Sequence, residues 1–459
     1  MDVVMIGAGY VGLTTGACLA ELGHCVVCVD TDSMKVARLN RAEVPIYEPG
    51  LSELIRRHMM AGRLAFTHDL ASAAPQADAI FIAVGTPSGD DGDIDLSYVK
   101  GAAAELAPLV KPGAVIVIKS TVVAGTARMI ADLVAEIRGD SDVHVASNPE
   151  FLREGSAIGD FLEADRIVIG ADDAHSADVL AELYAPLRKK GVPFVTTTTT
   201  NAELVKYAAN AFLALKIGFI NEVADLCEAA DGDVAAVAEG IGLDRRIGRA
   251  FLDAGPGFGG SCFPKDTRAF AATGRRYRQP QALVETLIQR NEARKTKLAA
   301  KIIAQLGGKG GRVAVLGTAF KSNTDDVRDS AALTVIPALL DAGIAVVAHD
   351  PKARKATERL VPGALWRDCP YEAAKDADAL VILTEWADYA RLDLGRISGL
   401  MAGRSIVDCR NLFAPHEVTR HGLKYVSIGR RPATPTPRQK EKHPGAGAGN
   451  WTDIAAAPA

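Results

Sequence analysis

Val3-Val4-Met5-Ile6-Gly7-Ala8-Gly9-Tyr10-Val11-Gly12 and, a short way on, Cys25-Val26-Val27-Cys28-Val29-Asp30 decide the fold of this chain. Four apolar residues in a row, stopped by glycine, read as a short strand buried on both faces. The G-x-G-x-x-G spacing follows that strand and opens a helical pattern over Val11–Leu22, the context in which the motif carries weight. Gly7 permits the tight turn, Gly9 lets a pyrophosphate approach the backbone, and Gly12 lets helix and strand pack closely. Free N–H groups at the helix start, with Tyr10 and Val11 beside them, suit an anion. Asp30 ends the second strand, where an acid hydrogen-bonds both ribose hydroxyls. Its charge repels a 2′-phosphate, so NAD is expected over NADP.

Outward from this turn, strands are expected at Ala79–Val84, Ala114–Lys119 and Val192–Thr196, with helices near Leu96–Leu109 and Thr126–Ile137. The alternation argues a parallel doubly wound sheet over residues 1–200. The loops Gly85-Thr86-Pro87 and Ser120-Thr121 follow strands, and loops at strand carboxyl ends line the ligand crevice of such sheets. Lys35 is a candidate for the adenosine ribose or a solvated helix residue. Apolar residues then recur at helical spacing from Asn201 to Ala230, and a second long helix is expected from Pro280 to Leu306. A central helical unit therefore spans 201–306. Gly307–Gly311 reads as a hinge, and Val313–Gly317, Val346–Asp350, Ala379–Leu383 and Ser405–Asp408 restart a doubly wound domain over 307–429. That domain lacks a full glycine motif. From Arg430 to residue 459 the chain is rich in Pro, Ala, Gly, Lys and Arg without apolar periodicity, and reads as a disordered tail. The expected fold is α/β, two Rossmann-like domains joined by helices.

A net charge of −4 lacks the basic footprint of a nucleic-acid binder. No apolar run approaches the ~20 residues that span a bilayer, and Gly7 stops the apolar start before any cleavage site. A cytoplasmic protein is expected. Cys25 and Cys28 have C-x-x-C spacing but lie in what reads as a buried strand, with no Cys/His pair at zinc spacing nearby, so they are expected to be structural and no metal is expected.

The remaining chemistry gathers in Gly257-Phe258-Gly259-Gly260-Ser261-Cys262-Phe263-Pro264-Lys265-Asp266. Glycines leave Cys262 accessible, and Pro264 and Asp266 start a helix whose N-terminus favours thiolate. The residues alone allow a buried turn cysteine equally well. This segment, with Gly7–Gly12, Gly85–Pro87, Ser120-Thr121-Val122, Asn148-Pro149-Glu150-Phe151-Leu152-Arg153-Glu154-Gly155, Asn201–Asn210 and Ala319-Phe320-Lys321, resembles the UDP-glucose 6-dehydrogenase family, within the wider group of nucleotide-sugar dehydrogenases. The resemblance covers nearly everything but the tail. It implies that the first domain binds NAD, the last binds UDP, and the central helices form a homodimer.

By the same resemblance the substrate is UDP-glucose and the product UDP-glucuronate, made by two hydride transfers through a thiohemiacetal and a thioester on Cys262. Lys206 stabilises negative charge on the substrate oxygen, with Asn210 one turn on along the same face. Asp266 and Thr121 form a water-positioning and proton-relay pair. Glu150 is the base for thioester hydrolysis, and Glu154 is a second acid near substrate and cofactor. Phe151, Leu152, Arg153, Phe251, Phe258, Gly259, Lys321 and Arg410 are implied substrate contacts. Lys265 and Arg328 lie on the cofactor side, and Arg246 reaches the neighbouring subunit's site. Val123-Ala124 replaces the family's commoner Pro-Val, a change that leaves Thr121 intact. The alternatives are a GDP-mannose or UDP-N-acetylhexosamine dehydrogenase and, in another class, a non-catalytic NAD-binding scaffold. Ser261 before the cysteine favours the glucose type, because the N-acetylhexosamine enzymes tend to have His there.

Overall fold

The computed structural model describes residues 1–89, 92–140, 142–307 and 310–435. The opening apolar run forms β1, Asp2–Ile6, and the glycine turn leads into α1, Tyr10–Glu21. The sheet continues with β2, Cys25–Val29; β3, Leu64–Thr67; β4, Ala79–Ile82; β5, Val115–Ile118; β6, His144–Ser147; β7, Ile167–Ala171; and β8, Phe194–Thr197. Its spatial order is β3-β2-β1-β4-β5-β6-β7-β8. All neighbours run parallel except β6 and β7, so the expected parallel sheet contains one antiparallel junction. Strands β4 and β5 are wholly buried, as continuous Val/Ile/Phe runs require when helices cover both faces. Cys28 is buried in β2, but Cys25 is exposed at its start. Residues three apart on a strand face opposite ways, so the strand is not buried throughout and the C-x-x-C spacing does not gather two thiols.

The order reverses beside β1, and the turn after it shows what its glycines do. Gly7 has φ +103°, and a Cβ there would lie 2.6 Å from Ala83 O, just past β4. A Cβ on Gly12 would lie 1.8 Å from Gly7 O, so α1 could not seat against the turn. The helix α2, Thr126–Arg138, follows the Ser120–Gly125 loop.

Three long helices, with a shorter one at Val234–Gly242 between the first two, build the middle of the chain. The first is α3, Thr199–Ala230, of 32 residues, capped by the Thr198 hydroxyl, which accepts from Asn201 N–H at 3.3 Å. It packs on α4, Phe263–Arg276, and α5, Ala282–Gln305. Its inward face carries Tyr207, Ala211 and Ala214. On another face Val205, Phe212, Phe219 and Leu226, seven residues apart, are 37%, 64%, 57% and 65% exposed.

The last sheet contains β9, Arg312–Leu316; β10, Ala345–His349; β11, Leu365–Trp366; β12, Ala379–Ile382; β13, Ser405–Asp408; and β14, Lys424–Ser427. Its order, β11-β10-β9-β12-β13-β14, repeats the first sheet's doubly wound plan. Asp350, just past β10, stands where the first sheet has Asp30, but it is buried and serves the backbone. One oxygen accepts Thr318 N–H at 2.7 Å and Ala319 N–H at 3.0 Å, and the other accepts Lys352 and Ala353 N–H at 2.9 and 2.7 Å.

Part of the hinge expected at Gly307–Gly311 lies outside the described residues, as does the tail from residue 436. The disorder expected from Arg430 onward is corrected for its first residues. Arg430 Nε donates to Asp233 at 2.7 Å, and Ala433 exchanges two 2.8 Å backbone hydrogen bonds with Tyr425. Strand β14 edges its sheet, and its free backbone groups recruit the following segment whatever its composition.

Candidate active site

The start of α1 has no side-chain cap and no acid in its first turn, leaving its N–H groups free for an anion. Nothing lies within 4 Å of where a Gly9 Cβ would sit. Asp30 lies at the tip of β2. Burial would raise its carboxyl, but Lys35 and the Asp32 and Ala8 N–H groups outweigh burial and hold it below the usual range. Lys35 Nζ sits on Asp30 Oδ2 at 2.8 Å, so this lysine answers the acid directly. An uncapped helix start, an open glycine and an ionised acid fit a dinucleotide. Tyr10 serves the turn differently: its hydroxyl donates to buried Glu48, which also takes Gly155 N–H at 2.6 Å and Ala157 N–H at 2.9 Å. The sequence reading missed Glu48, whose one signal was the acid in Tyr47-Glu48-Pro49-Gly50. Ser120 spends its hydroxyl on Val84 O at 2.7 Å and Ile82 O at 3.2 Å, tying strand ends together rather than facing a ligand. Gly85 and Pro87 are exposed, and Thr86 half-buried, beyond β4.

A cavity of about 730 Å³ lies where the first sheet, the central helices and the last sheet meet. Cys262 lines it, at the start of α4. Gly260, with φ +87°, packs against Phe320, since a Cβ there would lie 2.6 Å from the ring. The thiolate expected at a helix N-terminus is not what this setting produces. Burial pushes the Cys262 thiol up to about 11, Glu150 and Asp266 add to the shift, and Lys206 and Ser261 oppose it. The N-terminal field is outweighed chiefly by burial, to which Glu150 from the first domain and Asp266 from the first turn of α4 itself add.

Buried Lys206 donates to Glu150 Oε1 at 2.8 Å, and Glu150 Oε2 accepts Leu152 N–H at 2.6 Å. Burial alone would raise the Glu150 carboxyl, but Lys206, Leu152 N–H and Lys119 bring it below its ordinary value. Burial would lower the Lys206 ammonium, and the negative groups around it reverse the shift. One turn on, Asn210 Nδ2 donates to Asp266 Oδ2 at 2.6 Å, while Asp266 Oδ1 takes Lys265 Nζ at 2.7 Å. Asp266 and Thr121 share no direct hydrogen bond among the described residues, and the Asp266 carboxylate is held by Asn210 and Lys265. Lys206 and Asn210 line the cavity, with Glu150 and Asp266 bonded to them.

Phe151, Leu152, Arg153 and Glu154 line the side nearest the first sheet. Glu154 accepts Ser261 Oγ at 2.8 Å and Thr324 Oγ1 at 2.9 Å, so it touches all three parts of the chain. Burial and Asp326 raise its carboxyl. Phe251, Phe258 and Gly259 line the central side, and Lys321 and Arg410 the far side. Arg410 is braced by Leu383 O at 2.9 Å and Phe320 O at 2.6 Å. Burial lowers the Lys321 ammonium, with Glu154 opposing. Arg328 is 65% exposed and paired with Asp326 at 2.8 Å. Arg246 is 89% exposed, bound to Asp244 and away from this chain's own cavity. Sequence reasoning missed Arg166, whose guanidinium lies 3.7 Å from the Phe151 ring centre, and Lys216, which donates to Ile247 O at 3.0 Å. Neither belongs to a local motif.

Comparison with known proteins gives a consistent result. The UDP-glucose/GDP-mannose dehydrogenase family matches through its NAD binding domain over residues 1–188, its central domain over 200–293 and its UDP binding domain over 314–415. A UDP-glucose 6-dehydrogenase of Rhizobium meliloti is 50% identical over 94% of this chain and all of its own length. A UDP-glucose dehydrogenase structure from Pyrobaculum islandicum, 40% identical, superposes with a TM-score of 0.85 over 93% of this chain and 97% of its own. A UDP-D-ManNAc dehydrogenase structure from Pyrococcus horikoshii is 26% identical, with a TM-score of 0.82 over 94% and 99% of the two chains.

Proposed function

Because this chain belongs to the UDP-glucose/GDP-mannose dehydrogenase family, we propose that it oxidises UDP-glucose to UDP-glucuronate by way of a thiohemiacetal and a thioester on Cys262. It is an NAD-dependent oxidoreductase. The observation that carries the reading is one half-buried thiol in a cavity shared by all three parts of the chain, with Lys206 and Asn210 beside it and Glu150 and Asp266 behind. The Gly7–Gly12 turn and Asp30 would hold NAD, and two NAD bound in succession would each supply a hydride acceptor for one oxidation.

Lys206, buried and cationic, stabilises the alkoxide that forms as the sugar's primary alcohol passes its proton to water held at Asp266, and loss of a hydride from that carbon leaves the aldehyde. The Cys262 sulfur then bonds to the aldehyde carbon, and the thiol proton passes to the aldehyde oxygen. A thiol held near 11 suits this exchange, since sulfur need not part with its proton until an oxyanion is there to take it. Removal of the second hydride, with the hydroxyl proton, leaves a thioester. Water adds to that carbonyl as Glu150 accepts its proton, and collapse of the adduct breaks the C–S bond and returns the thiol. Covalent capture keeps the aldehyde from leaving between oxidations. Lys321 and Arg410, cationic on the far wall, suit the diphosphate, and Phe151, Phe251 and Phe258 suit the sugar and base faces.

The exposed stripe on α3, four apolar residues spaced seven apart, is apolar enough to take a second copy of the same helix, which supports a homodimer. Arg246 is exposed beside exposed Leu243 and Ile247, as an arginine that reached into a partner's cavity would be. An enzyme consuming NAD and a nucleotide sugar acts, on this reading, in the cytoplasm. The test is stoichiometry across sugar nucleotides. UDP-glucose should yield two NADH per sugar consumed. One NADH per sugar, or faster turnover of GDP-mannose or a UDP-N-acetylhexosamine, would displace the reading.

A further inference from the structure

Behind Lys206 and Glu150 lies a third charge that the route above does not use. Lys119 follows β5 and turns inward, only 4% exposed. An ammonium carries three donors, yet among the described residues its one hydrogen bond goes to Asn148 Oδ1, at 3.0 Å. Asn148 is itself fixed, because its Oδ1 accepts the Tyr184 hydroxyl at 2.6 Å and its Nδ2 donates to Val168 O at 2.9 Å. It opens the loop that carries Glu150. A buried ammonium costs several kcal/mol unless an anion nearby offsets the loss of water, and Glu150, two residues past the Asn148 that Lys119 holds, is the carboxylate that acts on it. Burial brings Lys119 down to about 8, Glu150 opposes the shift, and Lys206 adds to it. The relation is mutual, since Lys119 is among the groups that lower Glu150.

The arrangement matters because Lys206 is asked to serve two anions. At rest it neutralises Glu150; during oxidation it also faces the substrate alkoxide. As its charge is shared, Glu150 keeps one direct donor, Leu152 N–H. A carboxylate so buried would then take up a proton and could not accept one from water. We propose that Lys119 is a positioning residue that supplies Glu150 with a standing counter-charge and holds the Asn148–Leu152 loop in place while Lys206 attends to the substrate oxygen. The proposal rests on the assignment of Glu150 as the base in thioester hydrolysis.

Three variants separate charge from packing. Lys119→Met removes the charge at similar volume, Lys119→Gln keeps a donor for Asn148 without charge, and Lys119→Arg keeps the charge. Melting temperatures identify those that fold, and kcat is followed from acid to alkaline pH with UDP-glucose and NAD. The acid limb should move up by about one pH unit in the Met and Gln variants, a roughly tenfold loss of kcat on that limb. It should stay near the wild-type position in the Arg variant, with both KM values little changed. Folded Met or Gln variants whose kcat falls equally at every pH, with the limb unmoved, would overturn the proposal, because a packing defect behaves that way. NADH per sugar, read in the same assays, reports the four-electron route. A yield of two with an unmoved limb overturns the Lys119 role alone, whereas a yield of one overturns the route.

Discussion

Glu203 shows at the scale of one residue how this chain ties its parts together. It lies one turn before Lys206 on α3, buried, and its carboxylate accepts Gly125 N–H at 2.6 Å and Ala127 N–H at 2.8 Å at the start of α2. The loop carrying Thr121 is thereby anchored to the helix carrying Lys206. Burial raises the Glu203 carboxyl from its ordinary 4.5 to about 7, and the two backbone donors oppose the shift without cancelling it. A carboxyl raised on folding gives stability that is full below the unfolded value and is lost as pH rises through the folded one. Between about pH 4.5 and 7 the wild-type protein should therefore lose stability relative to Glu203→Gln, by no more than about 3 kcal/mol. Melting curves of the two proteins across that range would show it, and parallel curves would mean that Glu203 does not titrate there. None of this was legible in Asn201-Ala202-Glu203, because the donors come from a distant loop. The position of Cys262 was legible, since glycines and an early proline mark its turn. Its protonation was not, since Glu150 reaches the sulfur only through the fold.

Elements with one dominant signal could be read from the sequence. Strands β1, β2, β4 and β5 are unbroken apolar runs, and each lies within a residue or two of its expected span. Strands β3, β6, β7, β11 and β14 are not among the strands expected from the sequence. His144-Val145-Ala146-Ser147 and Lys424-Tyr425-Val426-Ser427 are short and mix polar with apolar residues. Their pairing is settled by the neighbouring strand more than by their own propensity. The polar run Thr196–Thr200 is read as a break, yet it holds the end of β8, the cap Thr198 and the first residues of α3. Helix α3 also carries a testable consequence of its outer face. Burying Phe219 and Leu226 in a twofold interface would contribute about 4 kcal/mol or more, so Phe219→Glu with Leu226→Glu should weaken self-association roughly a thousandfold. Sedimentation at micromolar concentration should show monomer. An undiminished dimer would move the interface elsewhere.

The whole molecule is two doubly wound sheets held against a helical middle, with the cavity at their junction. Glu154, Ser261 and Thr324 join the three parts by hydrogen bonds at its edge, so cofactor turn, thiol and far-wall cations share one frame. The repeat of the doubly wound plan was visible in the strand pattern. That only the first sheet keeps its acid near an open turn was not, because Asp350 looks like Asp30 until its burial and its Trp386 donor are seen. The central claim is that Cys262 holds the sugar covalently between two oxidations. Cys262→Ser tests it most directly. A serine hydroxyl can add to the aldehyde and allow the second hydride removal, but the resulting ester is less activated toward hydrolysis than a thioester, so the variant should stall with sugar attached. Intact-protein mass after incubation with UDP-glucose and NAD should show the protein heavier by the oxidised sugar nucleotide. An unchanged mass, together with UDP-glucuronate formed at the normal rate by Cys262→Ala, would contradict the covalent route and make a hydrated aldehyde the second substrate.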